Sequence, residues 1–183
     1  SIRIWGHIND SQWQNASNNS ISIYINGADM EGTRWWQQNF SSLSSTDSIA
    51  SIAIDSFGNV YTAGNGDNLT TSTSGTDWSI KKFNDAGVED TSNWNKNYSS
   101  PGNRADAALA VAVDQNNNVY VGGRATNLSG NGNNYDWWLK KFSSSGVENT
   151  TAWNKNITSS GNNDDILEDV AIDSQDNVYA VGS

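Results

Sequence analysis

Apolar and polar positions along this chain fall into short runs, and turn residues separate the runs. In the best-preserved stretch the runs are Ala108 to Val113, Asn118 to Gly123, Asp136 to Phe142 and Ala152 to Ile157. Runs of this length with turn residues between them are typical of antiparallel strands. No stretch shows sustained helical periodicity. The pattern therefore predicts an all-β protein built from small sheets of four antiparallel strands.

The pattern recurs at a fixed step. The phrase "DWSIKKFNDAGVEDTSNWNKN" begins at Asp77, and "DWWLKKFSSSGVENTTAWNKN" begins 59 positions later at Asp136. A second phrase places Asp55, Asp114 and Asp173 at the same interval. Such self-similarity is the mark of a repeat architecture, in which each unit buries its apolar faces against its neighbours.

We therefore interpret residues 1–183 as a single array of about three repeats of about 59 residues. The approximate repeats are 1–64, 65–123 and 124–183. The first copy, "ISIYINGADMEGTRWWQQNF", is weaker than the later two, and residues 1–20 depart from the pattern.

One hairpin turn is repeated in all three units. Gly58, Asn117 and Asp176 occupy one equivalent position, and these residue types tolerate a left-handed backbone at the lowest cost. The aspartate that opens each turn is expected to accept hydrogen bonds from the backbone amides that follow it. A calcium ligand is the alternative, but the alternating Asp pattern of calcium loops is absent.

The first strand of each unit carries a small residue at the same place: Ala53, Ala112 or Ala171. Crowding on the most apolar strand fits a β-propeller, in which four-stranded blades surround a central channel with their first strands innermost. Tryptophans on the outer strands would then fill the widening wedge between blades; these are Trp78, Trp94, Trp137 and Trp153. The adjacent lysine pairs are expected to extend past these rings or to pair with acids of the next blade.

These phrases resemble the bacterial SBBP-type β-propeller repeat. The resemblance lies in "SIAIDSFGNVYTAG", "DWSIKKFNDAGVED" and "NWNKNY" and in their later counterparts, and it covers residues 21 to 183. Members of this family are typically exported or displayed on the cell surface. The resemblance therefore implies a secreted or cell-surface protein and supplies no catalytic residue.

Composition and net charge exclude several classes of binding partner. The chain has 20 acidic and 10 basic residues, for a formal net charge of −10, whereas a protein that neutralises phosphates needs the opposite sign. We therefore expect no nucleic-acid partner. There is no Cys, which excludes disulfides and Cys-ligated metals. The sequence contains no run of eighteen apolar residues, so we expect no membrane insertion.

Candidate chemistry is sparse. His7 is the only histidine, so neither a repeated nucleophile–base set nor a histidine zinc site can form. The acidic group of Asp164, Asp165, Glu168 and Asp169 fits a solvated loop better than a metal site. We predict no catalytic, cofactor-binding or metal-binding residues, and no enzyme.

Three repeats fall short of the four to eight blades of a closed ring. The last run, "NVYAVGS", corresponds to a second strand, and "SIRIWGH" also aligns with a second strand. Three outcomes are open: two chains that close a ring, a head-to-tail filament, or a segment of a longer propeller. An isolated monomer is the least expected, since unpaired edge strands invite pairing with another chain. We predict a self-assembling structural scaffold.

A carbohydrate-binding propeller is the alternative function. Lectins bind sugars on exposed aromatic faces beside Asn and Asp side chains, and this chain is rich in both types. The candidate ligand-binding residues are Trp35, Trp36, Trp138 and Trp5. This alternative requires these rings to be solvent-exposed, and it loses ground if they are wedged between blades.

Overall fold

A computed structural model describes residues 3–5, 24–26, 47–71, 74–102, 105–130, 133–160 and 163–183 of this chain. The regular secondary structure of these residues is entirely β-strand. None of them forms a helix that could cross a membrane. The prediction of an all-β protein is confirmed.

The described residues form twelve strands in four antiparallel sheets. The strands are β1 (Arg3–Trp5), β2 (Tyr24–Asn26), β3 (Ser48–Ile54), β4 (Val60–Asp67), β5 (Thr76–Phe83), β6 (Lys96–Tyr98), β7 (Ala107–Val113), β8 (Val119–Thr126), β9 (Tyr135–Phe142), β10 (Lys155–Ile157), β11 (Leu167–Ile172) and β12 (Val178–Gly182). Sheet A has the order β3-β4-β5-β6, sheet B has the order β7-β8-β9-β10, and sheet C is the pair β11-β12. The pair β1-β2 forms the fourth sheet.

The second strands of sheets A and B, β4 and β8, are buried on both faces. Val60 to Ala63 in β4 are all buried, as are Val119 to Gly123 in β8. A strand covered on both sides reads as a continuous run of apolar and small residues rather than an alternating one, as the sequence does here.

A bulge recurs where the first strand of each sheet meets the second. The register shifts between Ala108 and Ala110 in sheet B, and equivalent shifts occur in sheets A and C. Gly123 faces the bulge, and a Cβ at this position would lie 2.1 Å from the Ala107 carbonyl oxygen. The close backbone approach therefore requires glycine there.

The sheets stack through their first strands. β3 contacts β7, and β7 contacts β11, so the first strands lie side by side as the propeller interpretation predicted. Two core clusters lie between the sheets, one at the A–B interface and one at the B–C interface. The described sheets do not close into a ring.

Candidate functional site

The repeated aspartates build the turns that join the first two strands of each sheet. Asp114 Oδ1 accepts hydrogen bonds from the Asn116 and Asn118 backbone amides at 2.9 and 2.7 Å. Its Oδ2 accepts from Asn118 Nδ2 and from the Tyr120 hydroxyl. Asp55 and Asp173 make the same four contacts in their own turns. The predicted turn role of these aspartates is confirmed.

In sheets B and C the left-handed residue of the turn also links neighbouring sheets. Gly58, Asn117 and Asp176 have φ values of 82°, 59° and 61°, which confirms the predicted conformation. Asn117 Oδ1 accepts from the Ser56 backbone amide and hydroxyl of sheet A, both at 3.0 Å. Asp176 Oδ1 likewise accepts from the Gln115 amide of sheet B at 3.0 Å. The turns of sheets B and C are thus each tied to the turn of the preceding sheet.

Tryptophans fill the A–B interface, as predicted for Trp78 and Trp94. Both rings are fully buried. The Trp78 indole donates to the Arg124 carbonyl at 2.9 Å, and the Trp94 indole donates to the Ser144 carbonyl at 3.1 Å. Both acceptors belong to sheet B. Each ring therefore packs between the sheets and also bonds across them, which satisfies its only polar atom.

Trp138 lies at the same interface and is 7 % exposed. Its ring centroid is 5.0 Å from that of Trp78 and 5.9 Å from that of Tyr98, both in sheet A. Its indole donates to Asn154 Oδ1 at 2.8 Å. A ring covered in this way offers no open face to a sugar, so Trp138 does not meet the requirement of the lectin alternative. Of the other lectin candidates, Trp35, Trp36 and the Trp5 side chain lie outside the described residues.

A buried lysine supports the Trp138 ring. Lys140 Nζ lies 2.6 Å from Glu148 Oε1 and 4.2 Å from the centre of the Trp138 ring, and burial lowers the pKa of Lys140. The Tyr98 hydroxyl of sheet A donates to Glu148 Oε2 at 2.7 Å. Lys140 and Glu148 are both in sheet B. Of the two predicted alternatives for this lysine, extension past a tryptophan ring is therefore confirmed, and pairing with an acid of the next blade is wrong. The acid bridges back to β9 instead.

The second lysine of each pair lies against aromatic rings. Lys82 Nζ is 5.2 Å from the Tyr61 ring centre and donates to the Ser144 carbonyl at 3.0 Å. Lys141 Nζ is 4.7 Å from the Tyr120 ring centre and 5.4 Å from that of Trp153. The expected extension of these lysines past the aromatic rings is confirmed.

The B–C interface is only partly covered. Trp137 and Trp153 pack at the margin of its core cluster, and both are half-buried. The Trp137 indole donates to the Ser183 carbonyl at 3.2 Å, which matches the bond of Trp78. The structure gives the Trp153 indole no hydrogen-bond partner within the described residues. The wedge-filling prediction therefore describes Trp137 and Trp153 in part.

The outer face of sheet C is apolar and open. Tyr179 is 55 % exposed and Val181 is 58 % exposed. Their counterparts one repeat earlier are Tyr120 and Gly122, which are buried. The outer edge of β12 has no strand partner among the described residues. Sheet C thus presents the kind of face that sheets A and B bury against a neighbour.

The acidic group near residue 165 is occupied by local contacts. Asp165 Oδ2 accepts from the Ser159 amide at 2.6 Å, and Asp164 Oδ1 accepts from the Tyr135 amide at 3.0 Å. No cluster of His, Cys, Asp or Glu in the described part of the chain is arranged to hold a metal ion. His7 lies outside the described residues.

The structural role of one aspartate, Asp106, was not predicted from the sequence. Asp106 is buried, and its carboxylate accepts from the Ser100 amide and hydroxyl at 2.6 and 2.8 Å and from the Thr126 amide at 2.9 Å. Burial raises its pKa, and these hydrogen bonds oppose the rise. Asp106 lies 59 positions before Asp165, so the repeat itself contained a signal for it.

The fold and its interfaces define a class: stacked antiparallel β-sheets in which repeated turn and tryptophan contacts join one sheet to the next. Residues 34–69 match the model of a known family, the SBBP β-propeller repeat. The resemblance read from the sequence is confirmed for that segment. No curated protein is significantly similar to this chain.

Proposed function

We propose that this chain is a non-enzymatic β-propeller repeat scaffold that assembles with other copies of itself. The observation that carries the proposal is the open face of sheet C. Tyr179 and Val181 are exposed at positions whose counterparts Tyr61 and Ala63 are fully buried at the A–B interface. A face of this composition is stabilised when another sheet covers it, at roughly 25 cal/mol for each Å² of apolar surface removed from water.

The proposed architecture is an arc of propeller blades with a repeat of about 59 residues. Its support is the stacking of β3, β7 and β11, the four-stranded order of sheets A and B, and the family match over residues 34–69. Four-stranded blades packed around an axis leave two terminal faces until the ring closes. Assembly between copies would cover such faces.

The edge of β12 supports assembly by strand pairing as well. In sheets A and B the second strand is paired on both edges, since β4 lies between β3 and β5 and β8 lies between β7 and β9. β12 is paired with β11 alone among the described residues. An edge that carries exposed Tyr and Val side chains favours pairing with a further strand.

Export to the cell surface or the medium is part of the proposal, and it rests on the family resemblance. No enzymatic step is proposed. The recurring aspartates accept hydrogen bonds in turns and loops, and the recurring tryptophans fill the interfaces, so the repeated polar groups are used in holding the scaffold together.

The proposal is tested by the mass of the folded 183-residue chain in solution. We expect size-exclusion chromatography with light scattering to show species larger than one chain that grow with concentration. Val181→Lys places a charge on the open face and should shift the mass toward one chain. Val147→Lys is the matched control, because Val147 is 67 % exposed on a loop away from this face. A single-chain mass for the unaltered protein at all concentrations would overturn the proposal.

A further inference from the structure

Strands β9 and β10 form a hairpin whose aromatic rings cover the tryptophans of sheet A. The Trp138 ring packs on Trp78, with centroids 5.0 Å apart, and the Phe142 ring packs on Trp94, with centroids 5.6 Å apart. Trp138 and Phe142 are four residues apart on one strand, so both side chains lie on the same face. One strand of this hairpin therefore covers both tryptophans of the neighbouring sheet.

The turn after β9 makes a third contact with sheet A. The Ser144 carbonyl accepts from the Trp94 indole N–H at 3.1 Å and from the Lys82 ammonium at 3.0 Å. A Cβ on Gly146 would lie 2.5 Å from the Asn93 carbonyl oxygen. The turn therefore approaches sheet A so closely that its last residue must be glycine.

Sheet B carries the same surface one repeat later. Trp137, Trp153 and Lys141 are the counterparts, 59 positions on, of Trp78, Trp94 and Lys82. Tyr120 supports them from below: its ring centroid is 5.0 Å from that of Trp153, and Lys141 Nζ is 4.7 Å from its centre. The two donors are thus held in place, and preorganised groups cost less to pair than mobile ones.

No hairpin covers this second surface within the described part of the chain. The Trp153 indole has no hydrogen-bond partner there, and the printed sequence neighbours of Lys141 offer it no carbonyl, its charged contact being Asp114 Oδ2 at 3.9 Å. Lys141 also lines an open cleft of about 390 Å³ together with Asn118 and Thr151. Sheet C covers the inner half of sheet B, and the place of a third and a fourth strand is open.

The free edge of β12 sets the register of such a hairpin. In sheet B, Val119 pairs with Phe142 and Gly123 pairs with Trp138. The counterparts of Val119 and Gly123 in β12 are Val178 and Gly182, and β12 is paired with β11 alone among the described residues. A strand in the same register would place its Phe opposite Val178, which packs against the B–C core cluster. Paired residues share a face, so its aromatic rings would point toward sheet B.

We propose that the edge of β12 and the surface formed by Trp137, Trp153 and Lys141 bind a β-hairpin from another chain. The hairpin has the pattern of Tyr135–Ile157: a Trp, a Phe four residues later, and a turn that ends in Gly after four more. The turn carbonyl accepts hydrogen bonds from Trp153 and Lys141. This inference deepens the proposed function and rests on it only in using the open edge of β12.

The hairpin site is distinct from the open face of sheet C. Tyr179 and Val181 alternate along β12 with Val178 and Ala180, which pack against the B–C core cluster, so Tyr179 and Val181 point away from sheet B. Val181→Lys should therefore block the proposed self-assembly and leave the hairpin site intact. The full chain with this substitution separates the two contacts in one experiment.

The probe is a synthetic peptide of residues 135–157 with a fluorescent label, and its binding to the full chain is measured by fluorescence anisotropy. We expect the unaltered chain and Val181→Lys to bind it equally. A peptide with Trp138→Ser, which copies Ser79 of sheet A, keeps the charge and should bind at least about tenfold more weakly, because it loses a buried ring. Since the chain has a net charge of −10, physiological ionic strength is used to screen it.

Variants of the chain test the donors. Trp153→Phe combined with Lys141→Met keeps a ring at 153 and removes both donors, so peptide binding should weaken about tenfold. Lys155→Met is the control for the charge change, since Lys155 is exposed on β10, and it should bind as the unaltered chain does. Amide hydrogen exchange in β12 should slow when the peptide binds, because its free edge becomes paired.

The outcomes separate this inference from the proposed function. A chain that stays monomeric but binds the peptide would overturn self-assembly and leave the hairpin site standing. A chain that self-associates but does not bind the peptide would overturn the site alone. Equal binding of a scrambled peptide, equal binding by the donor variant, or unchanged exchange in β12 would each also overturn the site.

Discussion

The A–B and B–C interfaces contain the same repeated tryptophans and differ in how far the second sheet extends. At A–B a four-stranded sheet covers another, and Trp78 and Trp94 are both fully buried. At B–C the covering sheet has two strands, and Trp137 and Trp153 are half-buried. The inner half of the contact, which includes the bond from Trp137 to the Ser183 carbonyl, is preserved. The first two strands of a sheet therefore suffice for the inner contact, while the outer tryptophan is covered by the end of the third strand and the turn after it, as Phe142 and Ser144 cover Trp94.

The two interfaces also differ in how side-chain volume is divided between two facing positions. Ala63 faces the core cluster of the A–B interface together with Ala108, and both are fully buried. The counterparts at B–C are Gly122 and Leu167. A Cβ on Gly122 would lie 2.5 Å from Leu167 Cδ2. The A–B interface thus places two alanines at these positions, whereas the B–C interface places a leucine against a glycine that has no side chain. The side-chain volumes of each interface therefore fit only with each other.

The largest expected effect separates Trp94 from Trp153. Trp94→Ala should lower the free energy of unfolding by about 3–5 kcal/mol, as for other large-to-small changes in a core. Trp153→Ala should cost about half as much, because its ring is only half-buried. Urea unfolding followed by circular dichroism, at concentrations where the chain does not associate, measures both. Equal losses would contradict the difference drawn between the two interfaces.

The contact between Gly122 and Leu167 predicts that a smaller residue at 167 compensates for a larger residue at 122. Gly122→Ala should destabilise the fold by about 1–3 kcal/mol through overpacking against Leu167. In a Leu167→Ala background the same change should cost about 1 kcal/mol less or become favourable, because the pair then equals Ala63 and Ala108. A double-mutant cycle by urea unfolding measures this coupling.

The control for that cycle is Gly123→Ala. A Cβ on Gly123 meets the Ala107 carbonyl oxygen, which is backbone, so Leu167→Ala should give no rescue. Rescue of both glycine variants, or of neither, would show that the Leu167 side chain does not decide the cost at Gly122.

A smaller effect is expected at the hydrogen bonds that join the hairpin turns of neighbouring sheets. Asn117→Ala removes the acceptor for the Ser56 amide and hydroxyl and places Ala at a φ of 59°, so it should cost about 1–2 kcal/mol. Asn117→Gly, which copies Gly58, loses the same acceptor but relieves the backbone, and it should cost less than the Ala variant. Thermal and urea unfolding compare the two. An Ala variant as stable as the Gly variant would contradict the role of the left-handed backbone.

The smallest effect is a pH dependence in sheet C. Hydrogen bonds from the Asn177 side chain and backbone lower the pKa of Asp173 from 3.8 to about 2. A carboxylate with a lowered pKa contributes stability above its ordinary pKa and loses that contribution as pH falls through the folded value. We therefore expect the Gln175 and Asn177 amide resonances to titrate near pH 2, and Asp173→Asn to abolish that titration. A midpoint near 3.8 would contradict these contacts.

Much of the fold was predictable from the sequence. Short strand-forming runs and repeated turn residues are local signals, and they located the four strands of sheet B to within a few residues. Asp114 and Asn117 were interpreted correctly because an aspartate that opens a turn and a residue with positive φ have local physical causes.

The contacts between sheets were less predictable, because they depend on which face of a strand each side chain occupies. Trp137 and Trp138 are adjacent, so they point to opposite faces, and in a stack of sheets both faces are covered. The lectin alternative overlooked this consequence for Trp138. The Lys140–Glu148 pair was not predicted, because the bridge that returns Glu148 to Phe142 has no pattern in the sequence.

The central claim is that the open face of sheet C is covered by a second copy of this chain. Sedimentation velocity of the unaltered protein over a wide concentration range tests it most directly, with Val181→Lys measured beside it. The account predicts multi-chain species that grow with concentration and that the lysine variant largely abolishes. A folded chain that sediments as a single copy at every concentration would contradict the claim.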